Sequence, residues 1–378
     1  MTLMSSARAR SRAAVLAAVS ASAVALAAPA GAEELSYGGY ISATHPVHSV
    51  GLDPFFARVT EATGGELTWT TFYGGAMGGP KELLGAIGDN ILDSGAVVDV
   101  YTKSSLPVSA MISGLLATAD DSRLYGAAMA EHELLNCPSC AEEREDNGIV
   151  ALGYYATSPY VLMCAEPVST LDELAGKKVR TSSRFGAMMQ GMGATAVSIT
   201  SAEMYEAMQR GSTDCAVGPA AWLTSYNIKD FVRSVVSTPL GAYYGTMVLT
   251  MNADRWEDLE PAHKQAIIDN IPQMTADINW VYLEEADAAM AEVAAREDGQ
   301  VVEASEDFMS AVAAFREGEY DVAIKQGEED GIDDAAEIVA SFRATVDKWR
   351  KIMSEEVGDD KAKYAAALKR EIYDKLDY

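Results

Sequence analysis

Residues 180–183 have the composition of an anion-binding site. Arg180 ends a short apolar segment that is predicted to be a β-strand, and residues 181–183 are hydroxyl residues that favour the start of the helix predicted at 185–189. A guanidinium at the carboxyl end of a parallel strand, facing the amide-rich start of a helix, is suited to bind a carboxylate. The alternative is a surface arginine that only closes the strand.

The four cysteines, Cys137, Cys140, Cys164 and Cys215, are an even number, which permits two disulfides in an oxidising compartment. Cys137 and Cys140 form a CxxC pair in a predicted turn. A structural disulfide, two unreactive thiols and a redox-active pair all fit that spacing, although no thioredoxin-like pattern surrounds it. Since no second cysteine pair and no paired histidines complete a tetrahedral set, we expect no metal site.

Other candidate residues do not combine into a catalytic site. Asp99, in an apolar strand, either binds an amine or hydroxyl of a ligand or faces solvent at the strand end. His45 and His48 are spaced either as metal ligands or as part of a loop that caps a helix. The chain lacks GxSxG, and the glycine-rich residues 74–79 are not followed by the Gly-Lys-Ser/Thr of a phosphate-binding loop. We therefore expect no enzyme activity and no cofactor.

The elements that position these residues form an α/β pattern. Residues 171–215 read as helix, strand, helix, strand, helix and strand, which is typical of a parallel sheet with helical crossovers. Other strands are predicted at 35–42, 66–73, 94–102, 147–155, 158–166 and 246–252, and other helices at 53–65, 81–90 and 254–270, with a turn near Pro261. Beyond about residue 275 the pattern is helical, with one possible short strand at 301–307.

The N-terminus has the features of a secretory signal peptide, residues 1–32. It combines three arginines, a short apolar stretch and a small-residue cleavage site at residues 30–32. No later run is long and apolar enough to predict a membrane helix. With 29 basic against 56 acidic residues, the chain repels nucleic acid. We expect an exported, periplasmic protein, long enough after cleavage for two lobes.

Three segments, taken in order, resemble the solute-binding proteins of tripartite ATP-independent periplasmic (TRAP) transporters. They are AMGGPKELLGAIGDN at 76–90, the block at 171–215, whose last part is EMYEAMQRGSTDC, and NADRWEDLEP at 252–261. The resemblance covers nearly the whole mature chain. It identifies Arg180 with the arginine that clamps a substrate carboxylate in that family.

The resemblance implies a two-lobed periplasmic binding protein fold of type II-like architecture. A ligand cleft would lie between lobes that are joined by crossing strands, with extra C-terminal helices. The first lobe would comprise 33–158 plus 245–285, and the second lobe with the C-terminal helices would comprise 159–244 plus 286–378. In that topology Cys164 and Cys215 lie on neighbouring strands, close enough for a disulfide.

Two departures from the family pattern change the expected ligand. Gly218 precedes Pro219 where many members have asparagine, and Tyr160 lies in the region where many carry a second arginine. With one matched arginine and many aromatic residues, we expect a ligand with one carboxylate or a zwitterion rather than a dicarboxylate. The predicted ligand-binding residues are Arg180, Tyr40, Thr44, Trp69, Tyr73, Asp99, Tyr155, Tyr160, Trp222, Tyr243 and Tyr244.

The resemblance therefore predicts a periplasmic solute-binding protein. It would capture a small organic carboxylate or zwitterion and deliver it to the sodium-driven membrane permease of a TRAP transporter. One alternative is a member of the same family that binds a small amine. The alternatives from another class are a periplasmic enzyme and a sensor subunit built on the same fold.

Overall fold

The computed structural model describes residues 32–376, which fold around two β-sheets. The first sheet has the order β2-β1-β3-β10-β4 and is built from β1 Glu33–Gly38, β2 Leu67–Phe72, β3 Ser94–Val98, β4 Ile149–Tyr155 and β10 Thr246–Asn252. The second has the order β11-β9-β5-β8-β6-β7 and is built from β5 Tyr160–Cys164, β6 Lys178–Thr181, β7 Thr195–Ser198, β8 Cys215–Pro219, β9 Ser234–Val236 and β11 Gln300–Val302. Each sheet is the centre of one α/β lobe, so the predicted two-lobed fold class is confirmed.

Helices cover both sheets and continue beyond them. Those up to β9 are α1 Asp53–Ala62, α2 Leu83–Gly88, α3 Pro107–Ser113, α4 Ser122–Glu131, α5 Pro138–Asp146, α6 Leu171–Leu174, α7 Phe185–Gly191, α8 Met204–Gln209 and α9 Trp222–Ser225. Those after β10 are α10 Ala253–Asp258, α11 Pro261–Ala294, α12 Glu306–Glu317, α13 Glu319–Glu329, α14 Ala335–Ile352 and α15 Lys361–Glu371. The C-terminal helices are the extra layer that the sequence predicts.

The sequence patterns locate some strands better than others. β10 has the predicted bounds because it is an apolar run buried along its whole length, between β3 and β4. β1, in contrast, ends at Gly38 instead of residue 42. The chain makes one more ladder bond, from the Gly39 amide to the Phe72 carbonyl at 2.9 Å, and then leaves the sheet. That early exit carries Tyr40 into the space between the lobes.

Two crossing segments join the lobes side by side. Residues 156–159 lead from β4 to β5, and residues 237–245 lead back from β9 to β10. The amide of Thr157 donates to the carbonyl of Tyr243 at 2.9 Å, and the amide of Tyr160 donates to the carbonyl of Gly241 at 2.7 Å. The two segments are thus hydrogen-bonded to each other where they cross, and together they form a short hinge.

Helix α11 is a third connection between the lobes and was not predicted as one element. It runs for 34 residues, packs on α1 and β4 in the first lobe, and reaches β9 and β11 in the second. Pro261 is its first residue, a position where a missing amide hydrogen costs nothing, and the predicted turn near Pro261 is the break at Leu259 and Glu260 between α10 and α11. Pro272 lies inside the helix.

The last helices pack on the first lobe. Helix α14 lies against α4, where the Trp349 indole donates to the buried Glu131 carboxylate at 2.8 Å, and α15 lies along α11. The strands of the first sheet lie within 33–158 and 245–285, and those of the second sheet lie within 159–244 and 286–378. Helices α14 and α15 pack on α4 and α11, and the lobe boundaries themselves stay predictions.

Both predicted cysteine pairs are disulfides. Cys164 on β5 lies directly opposite Cys215 on β8, with 4.0 Å between their Cα atoms, so the predicted neighbour relationship is confirmed. Cys137 and Cys140 are bonded across the turn before α5, with 5.2 Å between their Cα atoms. Of the open choices for the CxxC pair, the disulfide is the one observed.

Two predictions concern the membrane. The predicted signal peptide, residues 1–32, lies outside the described residues except for its last position. Within residues 32–376, no helix combines the length and the apolar character needed to cross a bilayer.

Candidate ligand-binding cleft

A small cavity lies between the two sheets, beside the hinge. Its volume of about 20 Å³ has room for roughly one water molecule. The lining residues are Tyr40, Ile41, Val98, Val100, Tyr101, Tyr155, Thr157, Tyr160, Ser182, Ser201, Trp222, Tyr226, Tyr243, Thr246 and Tyr282. Over the part of the chain that the structure describes, these side chains are aromatic, hydroxyl-bearing or aliphatic, and none is charged. Seven of them are tyrosines.

The positive charge of Arg180 lies immediately behind this lining. Arg180 is on β6 and fully buried, and its guanidinium lies over the Trp222 ring at 5.2 Å. Its Nε and NH2 groups donate to the Ile199 carbonyl, and NH1 donates to the Val217 carbonyl at 3.3 Å. Among residues 32–376, no carboxylate comes within ion-pair distance of it. Backbone carbonyls thus orient a buried cation that lacks an acidic partner.

Trp222 forms one wall of the cavity because residue 218 is glycine. A β-carbon on Gly218 would lie 2.3 Å from the Trp222 ring, which is shorter than any van der Waals contact. An asparagine at this position therefore excludes the indole from its observed place. The departure from the family pattern at Gly218 has a direct structural consequence, since an aromatic face replaces an amide.

Tyr160, the second departure, continues the aromatic wall. Its ring stacks on Phe185 with 5.0 Å between centroids and meets the Trp222 ring edge-on at 5.6 Å. On the other side, Tyr155 and Tyr282 stack at 5.7 Å. Burial raises the pKa of Tyr40, Tyr160, Tyr243 and Tyr282 well above the usual value of 10, so these phenols stay neutral. The cavity is thus lined by neutral aromatic rings next to one cation.

Asp99 follows β3, across the cavity from Arg180, but it does not line the cavity. The Tyr243 hydroxyl donates to its Oδ1 at 2.6 Å, and the Ser113 hydroxyl donates to the same oxygen at 2.9 Å. Burial, the largest influence, raises the pKa of Asp99 well above its ordinary value. Neither earlier alternative describes it, because it faces neither solvent nor the cavity.

The chain matches a protein-family model over most of its length. A family model described as bacterial extracellular solute-binding protein, family 7, matches residues 37–326. The chain belongs to this family. A solute-binding protein from Albidiferax ferrireducens is 26% identical over 156 residues, which are 41% of this chain and 43% of that protein. The chain therefore matches less than half the length of this curated relative.

Solved structures of TRAP periplasmic solute-binding proteins share the fold of this family 7 protein. One from Bordetella bronchiseptica, with bound (R)- and (S)-mandelate, has a TM-score of 0.71 and 21% identity, covering 84% of this chain and 99% of that one. One from Rhodoferax ferrireducens, in complex with copurified benzoate, has a TM-score of 0.74 and 17% identity, covering 85% and 99%. The resemblance of the sequence to TRAP solute-binding proteins is thereby confirmed.

Of the predicted ligand-binding residues, Tyr40, Tyr155, Tyr160, Trp222 and Tyr243 line the cavity of this family 7 protein, and Arg180 lies directly behind it. The structure brings these six together from both lobes. Their roles in ligand binding stay predictions, because geometry alone places them.

The other predicted residues lie elsewhere. Thr44 is exposed in a loop, where its hydroxyl pairs with that of Ser42 at 3.2 Å. Trp69 stacks on Phe56 of α1 at 4.9 Å, because α1 covers that face of β2. Tyr73 stacks on the His48 ring at 3.7 Å and donates to Asp53. Tyr244 is fully buried, donates to the Ile112 carbonyl at 3.0 Å and stacks on Phe342. Trp69, Tyr73 and Tyr244 thus pack against other residues of the first lobe, and Thr44 lies on its surface.

Several lining residues were not predicted from the sequence, above all Tyr101, Ser201 and Tyr282. Tyr101 lies three residues after the last residue of β3, and its place near the end of the predicted strand 94–102 was a usable signal. Ser201 begins the turn before α8, where Thr200 and Glu203 form a capping box that the sequence displays. Tyr282 lies in the middle of α11, and no local pattern distinguishes it from a core residue.

A buried histidine lies against the CxxC disulfide. The ligand atoms of His132, Cys137 and Cys140 are within 4.8 Å of one another, and burial lowers the pKa of His132 to about 4. Because the two sulfur atoms are bonded to each other, neither is available as a thiolate for a metal. The proximity of His132 to Cys137 and Cys140 was not predicted from the sequence.

Proposed function

We propose that this family 7 protein captures a small organic monocarboxylate in the cavity beside Arg180. It acts in the bacterial periplasm and delivers the ligand to the sodium-driven permease of a TRAP transporter. The observation that carries the proposal is a fully buried arginine, without an acidic partner among residues 32–376, next to an uncharged aromatic cavity. A carboxylate ligand supplies the missing negative charge through charge-assisted hydrogen bonds.

The aromatic lining supports an acid with one charge and a flat apolar body. A second carboxylate would be buried among tyrosine and tryptophan rings without a cation to pair with it, which is costly. Aromatic faces instead pack favourably on rings and hydrocarbon. The mandelate and benzoate of the similar structures from Bordetella bronchiseptica and Rhodoferax ferrireducens are acids of this kind.

The amine alternative has less support. It requires Arg180 to be neutralised by a carboxylate of the protein and Asp99 to face the ligand. Arg180 forms no ion pair with any described residue, and the Asp99 carboxylate is turned towards Tyr243 and Ser113. A cationic ligand would therefore be placed near an unpaired guanidinium.

Capture requires the lobes to move apart, because the cavity has room for about one water molecule. The proposed moving units have the predicted boundaries, 33–158 plus 245–285 and 159–244 plus 286–378, except that α14 and α15 move with the first unit because they pack on α4 and α11. The crossing segments at 156–159 and 237–245 are the hinge. Closure around the ligand brings Arg180 and the tyrosines of the first lobe onto the same molecule.

Two measurements test this function. Native mass spectrometry of the purified protein should detect a copurified monocarboxylic acid. A thermal-shift screen should give its largest shifts with benzoate, mandelate and other monocarboxylates, and small shifts with succinate, malate and simple amines. A large shift with dicarboxylates alone, or with amines alone, contradicts the proposal.

A further inference from the structure

The hydroxyl of Tyr101 occupies the place where an anion is expected. Tyr101 belongs to the first lobe, in the helical turn Asp99–Tyr101 that follows β3. Its oxygen accepts a hydrogen bond from NH2 of Arg180 at 3.1 Å and another from the backbone amide of Ser201 at 3.0 Å. Both donors belong to the second lobe. The phenol oxygen of Tyr101 thus accepts hydrogen bonds from two donors of the second lobe.

The donors of Arg180 are nearly all in use. A guanidinium has five N–H groups. The Ile199 carbonyl accepts from Nε and NH2, the Val217 carbonyl accepts from NH1, and Tyr101 accepts from NH2. One N–H of NH1 is left. A carboxylate can therefore contact the NH1–NH2 edge with both oxygens only after the Tyr101 hydroxyl has moved away from NH2.

We propose that Tyr101 is a specificity-determining residue that links the two lobes across the cleft and competes with the ligand for Arg180 and the Ser201 amide. This inference rests on the proposed function, since it assumes a carboxylate ligand at Arg180. The exchange is favourable for a carboxylate because charge-assisted hydrogen bonds are stronger than those accepted by a neutral phenol. A neutral ligand oxygen gains nothing over the phenol, so Tyr101 selects for anions.

The competition also links the ligand to the motion of the lobes. The hydrogen bonds that Tyr101 accepts from Arg180 and Ser201 join the lobes directly across the cleft. When a ligand takes over the donors of Arg180 and Ser201, the first lobe is held through the ligand instead. Removing the Tyr101 hydroxyl should therefore weaken closure in the absence of ligand and strengthen binding in its presence.

The test is a comparison of wild type with Tyr101→Phe, which keeps the ring and removes the oxygen. Isothermal titration with sodium benzoate should show about 2- to 10-fold tighter binding by Tyr101→Phe, as expected from one competing hydrogen bond removed. Small-angle scattering without ligand should show a larger radius of gyration for the variant. Tyr205→Phe is the matched control, since Tyr205 is exposed on α8 outside the cavity, and it should match wild type in both measurements.

The outcomes separate this inference from the function on which it rests. Weaker or unchanged benzoate binding by Tyr101→Phe overturns the competition, and weaker binding would mean that the hydroxyl donates to the ligand. An unchanged radius of gyration without ligand overturns the role in closure, whatever the ligand is. Failure of the wild-type protein to bind any monocarboxylate counts against the proposed function instead. In that case the scattering comparison still tests the contact between the lobes.

Discussion

Arg180 and Asp99 are two fully buried charged residues at corresponding places in the two lobes. Each lies at the carboxyl end of a strand, Arg180 on β6 and Asp99 directly after β3, and the cavity lies between those strand ends. Asp99 has two hydroxyl donors on one oxygen and a raised pKa, which favours its neutral form. Arg180 has backbone carbonyl acceptors and, within the described residues, no carboxylate partner.

The difference between the two residues indicates where function lies. Two hydroxyls donate to Oδ1 of Asp99, Oδ2 has no hydrogen-bond partner among the described residues, and burial raises the pKa of the carboxyl, so we expect its charge to contribute little to ligand binding. The charge of Arg180 is oriented but not compensated, and a buried uncompensated charge is expensive unless a ligand pairs with it. Burial of an ionisable group alone therefore does not indicate a binding site. A buried charged group without an oppositely charged partner in the protein is a better indication.

The largest effect expected from a change away from the cleft concerns the disulfide beside Arg180. Cys164 and Cys215 support the sheet of the second lobe and are 51 residues apart. Replacing both with alanine should lower the unfolding free energy by about 4 kcal/mol in the chain-entropy model. The matched control removes Cys137 and Cys140, three residues apart, and should cost about 2 kcal/mol. Urea denaturation measures both, and an equal or larger loss for the control would contradict the ranking.

A smaller effect tests the account of Asp99. Tyr243→Phe removes one of the two hydroxyls that donate to Oδ1, and it should lower the unfolding free energy by about 1 kcal/mol, the typical net contribution of one hydrogen bond. Adding Asp99→Asn should cost less in the Tyr243→Phe background than in wild type, because the two groups interact directly. Urea denaturation of wild type, the two single variants and the double variant gives the four unfolding free energies of this double-mutant cycle. Strict additivity would show that this hydrogen bond does not stabilise the fold.

The smallest expected effect is that of pH on affinity. Burial lowers the pKa of His45, which packs against Tyr226 and Tyr282, to about 3, so it stays neutral above pH 5. Burial raises the pKa of Tyr40, Tyr226 and Tyr282, so these three phenols stay neutral up to pH 9. A ligand carboxylate with a pKa of about 4 is ionised throughout. Isothermal titration with benzoate from pH 6 to 9 should give a constant affinity, and a step near pH 6.5 would reveal a titrating histidine in the site.

The sequence located β10 with its bounds and the strand that holds Arg180, because each has a local signature, whereas the two-lobed architecture was predicted from the chain length and the resemblance to TRAP solute-binding proteins. Continuous apolar runs mark buried strands, and an arginine followed by hydroxyl residues marks a strand end before a helix. Trp69 was misplaced because alternation along a strand does not show which face a helix covers, and α1 covers the face of Trp69. Tyr101 was missed because residues 94–102 read as one strand, whereas β3 ends at Val98 and turns towards the second lobe.

The same limit applies to Gly218 and Trp222. The sequence showed a glycine where an amide is common in the family and showed a tryptophan four residues later. That the glycine makes room for the indole follows only from their packing, since a β-carbon at 218 would overlap the ring. Such contacts depend on the packing of the folded chain, and no local sequence pattern predicts them.

The central claim is that the uncompensated charge of Arg180 binds the ligand and that the charge of Asp99 does not. Isothermal titration of wild type, Arg180→Ala, Arg180→Lys and Asp99→Asn with benzoate, or with the acid identified by mass spectrometry, tests it directly. We expect Arg180→Ala to lose about 3–5 kcal/mol of binding free energy, because the ligand carboxylate is left buried and unpaired. Arg180→Lys should recover part of the loss, since an ammonium keeps the charge without the planar fork. Asp99→Asn should bind within about threefold of wild type, a change of less than 1 kcal/mol. Binding by Arg180→Ala as tight as that of wild type, with its fold intact, would contradict the account.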